Sequence, residues 1–271
     1  MSRRWYRVAV SDGAATTLAA AEAEHPGAAI ALVVARLGRG GRRVWPVAAA
    51  AVDGGAAPLG EAVGRGVVVL AEPPTLPSFE YPTGVVPTLG ERARAAIAPG
   101  LRRHQDGDTQ VIEAVVAGAA VREVFLDVVE RLPTIDNLEV EVADHLDPPG
   151  LRQVWLTPRL RDVRRAIRFL DDFEVDCLAS GHVDVAAYVR TPRSTWRLTQ
   201  HKTLLWLSDD AGLTDQVATW LARHGLEAVD PLADVASGPH LHYRGERSSD
   251  RARLLDKLKR AGLRRVVPPP G

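Results

Sequence analysis

The chain has 271 residues, 46% apolar and 25% charged, which suffices for one large domain or two modest ones, each with its own core. Its 34 basic and 34 acidic side chains cancel, arguing against a protein that coats nucleic acid with its whole surface and leaving room only for a local basic patch. The single cysteine, Cys177, excludes an internal disulfide and a zinc site built from several thiolates.

Only Lys202, Lys257 and Lys259 among the basic residues are lysines, and Ala, Gly, Val and Pro are abundant. This composition is what GC-rich bacterial coding produces, and it discounts any argument resting on arginine alone. No run approaches the roughly 18 apolar residues of a membrane helix, and the arginines near the N-terminus precede no apolar stretch. A cytoplasmic location is expected.

Residues 1–72 read as a small α/β domain. A strand over 5–10 leads through the turn Ser11-Asp12-Gly13 to an Ala-rich helix over 14–24, ended near Pro26-Gly27. Strands follow over 29–37, 43–50 and 66–71, the first two separated by Gly38-Arg39-Gly40-Gly41-Arg42. That glycine run lacks the Lys-Ser/Thr of a phosphate-binding Walker loop and reads as a hairpin tip. Pro73, Pro74, Pro77, Pro82 and Pro87 mark 73–88 as a linker. Residues 89–150 form a helical connector. It holds a short helix over 90–98 and a longer one capped at Asp108 or Thr109, with Val111, Ile112, Val115, Val116, Val124, Phe125, Val128, Val129 and Leu132 as its apolar set. Pro133 closes it, and the alternation over 138–142 predicts a strand with one wet face.

The rest of the chain contains an echo. Val154-Trp155-Leu156-Thr157 reappears as Leu205-Trp206-Leu207-Ser208, and at the same offset Phe169-Leu170 becomes Trp220-Leu221. Copy one, 151–202, reads as strand 153–157, helix 161–173, strand 174–178 and a hairpin of 182–190 with 194–202. Copy two, 203–271, reads as strand 203–208, helix 213–224, strands 226–229 and 240–244, helix 250–260 and strand 263–267. The β-α-β-β-α-β order of copy two is that of the split βαβ unit. The expected fold is therefore α+β, with tandem ferredoxin-like (βαββ-type) units behind the small N-terminal domain.

Alternation on the copy-one hairpin places His182, Asp184, Tyr188 and Arg190 on one face, joined by Arg197 and His201 from the partner strand. His240, His242 and Arg244 share one side of a copy-two strand. His-x-His offers two imidazoles to a metal, but a site needs a third ligand, and His182, Asp184 or His201 would supply it only if the copies packed face to face. No spacing requires that, so no metal and no cofactor is expected. Asp209-Asp210, between a strand and a helix, resembles the acidic pair of bacterial receiver domains over 203–229. The phosphoacceptor aspartate that the resemblance implies is missing, since the later strand ends in His242-Tyr243-Arg244, and helix capping explains the pair.

These features point to a non-catalytic binding or adaptor protein that meets a protein partner through the polar sheet face. Nucleic acid is disfavoured by the neutral charge, a membrane partner is not expected, and a homo-oligomer is compatible. Two alternatives stand beside this reading. One is an RNA-binding or RNA-cleaving enzyme, since tandem ferredoxin-like units bearing histidines are similar in topology to RNA-processing endonucleases of CRISPR systems; the Gly-rich C-terminal loop common there is absent here. The other is a small-ligand sensor with its site between the copies.

Overall fold

Strand β1 (Arg4–Ser11) turns back into β2 (Thr16–Ala23) because the Asp12 carboxylate accepts from the backbone N–H groups of Ala14 and Ala15, at 3.0 and 2.9 Å. The computed structural model describes residues 3–39, 43–52, 57–74, 78–89, 97–143, 152–160, 162–245 and 247–266. The Ala-rich stretch expected as a helix is thus a strand. Alanine's helical preference is worth less than about 1 kcal/mol per residue, and tertiary pairing overrides it. β2 is hydrogen-bonded on both edges, and Ala19, Ala20 and Ala21 are buried completely. The strand expected over 29–37 is instead helix α1 (Pro26–Leu37). Pro26 opens this helix, where its missing N–H is not needed, and His25 Nδ1 accepts from the Ala28 N–H. Ala29, Ile30 and Val33 press onto the sheet. Strands β3 (Trp45–Ala51), β4 (Glu61–Gly64) and β5 (Val67–Val69) complete an antiparallel sheet ordered β3-β1-β2-β5-β4.

The Pro-rich segment is more than a linker, since it carries the short strand β6 (Val85–Pro87). Most of the expected helix over 90–98 falls on residues 90–96, outside the described ones. The long connector helix divides. Its first part is strand β8 (Thr109–Val115), the second arm of a hairpin that begins with β7 (Gly100–Asp106) and turns at Gly107 with φ +57°. Only its second part is a helix, α2 (Ala120–Arg131), and the left-handed Gly118 (φ +54°) separates the two. The β-branched cluster Val111, Ile112, Val115 suits a pleated surface better than a helix.

A larger antiparallel sheet follows from β9 (Asn137–Val142), β10 (Gln153–Leu156), β11 (Val183–Val189), β12 (Ser194–Leu198), β13 (Leu204–Ser208) and β15 (Arg264–Val266), in the order β15-β10-β9-β11-β12-β13-β8-β7. Helices α2, α3 (Val163–Asp172), α4 (Ala211–Arg223) and α5 (Arg251–Arg260) cover one face. Aspartates 162, 210 and 250 cap the last three through their carboxylates.

The molecule is α+β with mainly antiparallel sheets, but the sheet order is not that of tandem ferredoxin-like units. In copy two, β13 and β15 are separated by β10, β9, β11 and β12, and β14 (His240–His242) lies in a different sheet, paired with β6. Residues 174–178 form a π-helical turn rather than a strand, which lets the buried Asp176 carboxylate reach Lys257 Nζ and the Ser249 N–H, both at 2.6 Å. Residues 226–229 make only a parallel bridge from Ala228 to Leu101. What survives of the echo is a strand and a helix. Trp155 and Trp206 each sit on a strand that feeds a helix, and both face the helical layer. Among the described residues no helix is long and apolar enough to cross a membrane.

Candidate metal centre

Three chain segments converge where the two large sheets meet. The first is β14, antiparallel to β6 with Leu241 opposite Val86. Leu241 and Tyr243 enter the apolar cluster beneath α1, with Tyr6, Val8, Ile30 and Val86. Period-two alternation then turns His240 and His242 the other way, towards the eight-stranded sheet.

The second segment is the turn between β12 and β13. Thr199 and Thr203 are bridged by a backbone hydrogen bond of 3.0 Å, and the Gln200 N–H donates to Asp184 Oδ1 at 2.8 Å. Lys202 closes the turn in the left-handed conformation, φ +64°, which an ordinary side chain adopts at a cost of about 1–2 kcal/mol. Its side chain is fully buried and Nζ donates to the Ser180 carbonyl at 2.6 Å. Burial pushes this ammonium down to about 8. With Gln200 and Lys202 held inward, His201 is left on the side facing β14.

The third segment, residues 179–182, enters β11. Gly181 donates its N–H to the Tyr243 carbonyl at 3.1 Å, and its own carbonyl accepts from His242 Nδ1. Consecutive carbonyls, Ser180 and Gly181, thus anchor the residue beside His201 and one histidine of β14. A Cβ on Gly181 would lie 1.9 Å from the Gly84 carbonyl oxygen, so the approach requires glycine. Gly181→Ala is expected to cost about 1–3 kcal/mol of stability, read as a lowered Tm. It should also displace the His242 ring, whose Nδ1 bonds to the Gly181 carbonyl, read as shifted ring-nitrogen signals in nitrogen NMR. Unchanged values of both would show that the carbonyl does not orient His242.

His240 Nδ1 lies 2.7 Å from the Gly238 carbonyl, and His242 Nδ1 lies against that of Gly181. A carbonyl only accepts, so both Nδ1 atoms carry hydrogen and, in the neutral rings, both Nε2 atoms present lone pairs. Those Nε2 atoms are 3.0 Å apart. His201 completes a triangle, its ring centre 4.9 Å from that of His240 and 5.0 Å from that of His242; the remaining side is 4.9 Å. One ring nitrogen from each of the three lies within 4.8 Å of the others, and among the described residues this is the one such group of potential ligands. A zinc ion about 2.0–2.1 Å from each nitrogen would set tetrahedral nitrogens about 3.3 Å apart and ring centres about 5.2 Å apart. The triangle has that size. All three rings are half-buried, which leaves a side open for a fourth ligand.

Of the remaining candidate residues, Asp184, Tyr188 and Arg197 share one face of the eight-stranded sheet, while His182, Arg190 and Arg244 lie elsewhere. His182 is buried behind His242, with ring centres 5.9 Å apart. Asp184, Tyr188 and Arg197 lie on the uncovered face of the eight-stranded sheet. There Arg197 reaches Glu139 at 2.7 Å and both Glu141 and Asp184 at 3.6 Å. Burial raises the Asp184 carboxyl above its usual range, against the stabilising Gln200 N–H. Arg190 is exposed at the far end of β11, its backbone N–H on Asp136, and Arg244 follows β14, half-buried. Asp210 caps α4 and Asp209 pairs with Arg193 at 3.1 Å, so neither is part of a phosphoacceptor site.

Lys202, Ser180, Gly181 and Gly84 were not singled out in the sequence. One signal existed for Lys202. In a chain whose cations are nearly all arginine, two of three lysines, Lys202 and Lys257, make hydrogen bonds to buried groups. No family model, no curated protein and no solved structure matches this chain.

Proposed function

We propose that the protein binds one divalent transition-metal ion, zinc above all, through His201, His240 and His242. One observation carries this reading: two imidazole nitrogens, each left with a lone pair by the carbonyl behind its ring, face one another at 3.0 Å. Lone pairs at that distance repel unless a cation stands between them. The outer carbonyls fix ring orientation and raise ligand basicity, as partners of metal-binding histidines do. Three imidazoles without a carboxylate suit zinc, copper, nickel or iron rather than magnesium or calcium. Three protein ligands also leave a coordination position for water or an external ligand.

This reading departs from the expected metal-free adaptor. The adaptor reading offered the hairpin face and the strand of His240, His242 and Arg244 to a partner, whereas on the hairpin face Arg197 is engaged with Asp184, Glu139 and Glu141. Titrating metal-free protein with zinc should show one equivalent bound, with excess magnesium and calcium failing to compete. The bound ion should shift the ring nitrogens of His201, His240 and His242 together in nitrogen NMR. If the Nε2 pair instead shares a proton, the spectrum will show an imidazolium that zinc does not displace, and the metal reading falls.

A further inference from the structure

We infer that the ion is a staple between the two large sheets, so that metal occupancy sets how tightly the N-terminal sheet is held against the eight-stranded one. The inference rests on the metal reading and adds where the ligands are anchored. β14 pairs with β6, and Leu241 and Tyr243 are embedded in the core of the five-stranded sheet. His240 and His242 therefore move with that body, although they come from the C-terminal half of the chain. His201 belongs to the other body. Its turn joins β12 to β13 in the eight-stranded sheet and is fastened there through Asp184 and through Lys202 on Ser180.

Around this point the seam is narrow. The Gly181 N–H meets the Tyr243 carbonyl, His242 meets the Gly181 carbonyl, and the small apolar cluster of Phe79, Val85, Val115 and Val235 lies between the sheets. An ion adds two bonds from one side and one from the other. An ion that binds only the closed seam stabilises it by mass action; at free metal 100-fold above Kd, opening becomes about 100-fold rarer.

Hydrogen exchange of the full chain tests this. With zinc at about 100 times the measured Kd, the Gly181 amide, which donates across the seam to the Tyr243 carbonyl, should exchange up to about 100-fold more slowly, while the amides inside α4 stay unchanged. Two variants separate a staple from a local site. His240→Ala keeps a pair that spans the seam, His201 with His242, and should regain protection once saturated at its own weaker Kd. His201→Ala keeps a pair on one side only, and should bind zinc without protecting the seam. Equal protection in the two saturated variants, or zinc uptake by the native chain without slower exchange at Gly181, would overturn the staple and leave the metal site standing. No zinc uptake by the native chain would remove both.

Discussion

Replacing His242 with alanine is expected to weaken zinc binding by at least about 100-fold, or about 2.7 kcal/mol, as measured against a chelating dye. Changing a group that only orients a ligand typically costs 10–100-fold, and here a ligand itself is lost together with its bond to Gly181. His242 is central to the triangle, with its Nε2 closest to its neighbour and its Nδ1 fixed to the eight-stranded sheet. The metal-free variant should melt within a few degrees of the metal-free native protein, because relief of repulsion between opposed lone pairs offsets part of the roughly 0.5–1.5 kcal/mol lost with the bond to Gly181. The native protein alone should then gain Tm on adding zinc. A variant that binds zinc as tightly as the native chain would show that His242 is not a ligand. A metal-free variant that melts several degrees lower would show that the ring is there for packing.

Trp206→Ala should have the largest effect on stability, about 3–5 kcal/mol, from urea unfolding. Trp206 is fully buried on an interior strand of the eight-stranded sheet, beside Trp196 on one neighbouring strand and Ile112 on the other. Its indole N–H donates to Thr214 Oγ1 at 3.0 Å, tying β13 to the first turn of α4. Truncation leaves a large void in a rigid layer. It removes a substantial part of the roughly 5–15 kcal/mol that holds a typical domain together. The zinc affinity of the folded fraction should not change, since the Trp206 side chain packs against the helical layer, away from the histidines at the end of the sheet. A cost under about 1 kcal/mol would mean that the core collapses around the gap, and would contradict the close packing described.

The parts legible in the sequence share a cause. β1, β9 to β13 and helices α3, α4 and α5 follow from residues whose pattern and caps agree, such as Asp250 before α5 and the left-handed Gly262 beyond it. The alanines of β2 and the valines of α1 failed because their local preferences are weak, and pairing partners elsewhere decided the outcome. The repeat misled for a similar reason. Two related strand–helix phrases do not state which strands will pair, and β14 left its own half of the chain for β6.

The sequence by itself determined an α+β chain with a tryptophan-centred core, and it put His240 and His242 on one side of a strand. That much follows from alternation, a property of neighbouring residues. Only the tertiary structure decided that His201, some forty residues away, completes the triangle, that Gly181 supplies the outer carbonyl, and that Lys202 is buried to hold the turn. A metal site depends on distances of a few ångströms between segments remote in the chain. Those distances are set by sheet order and by close contacts such as Gly84 with Gly181, which periodicity does not encode.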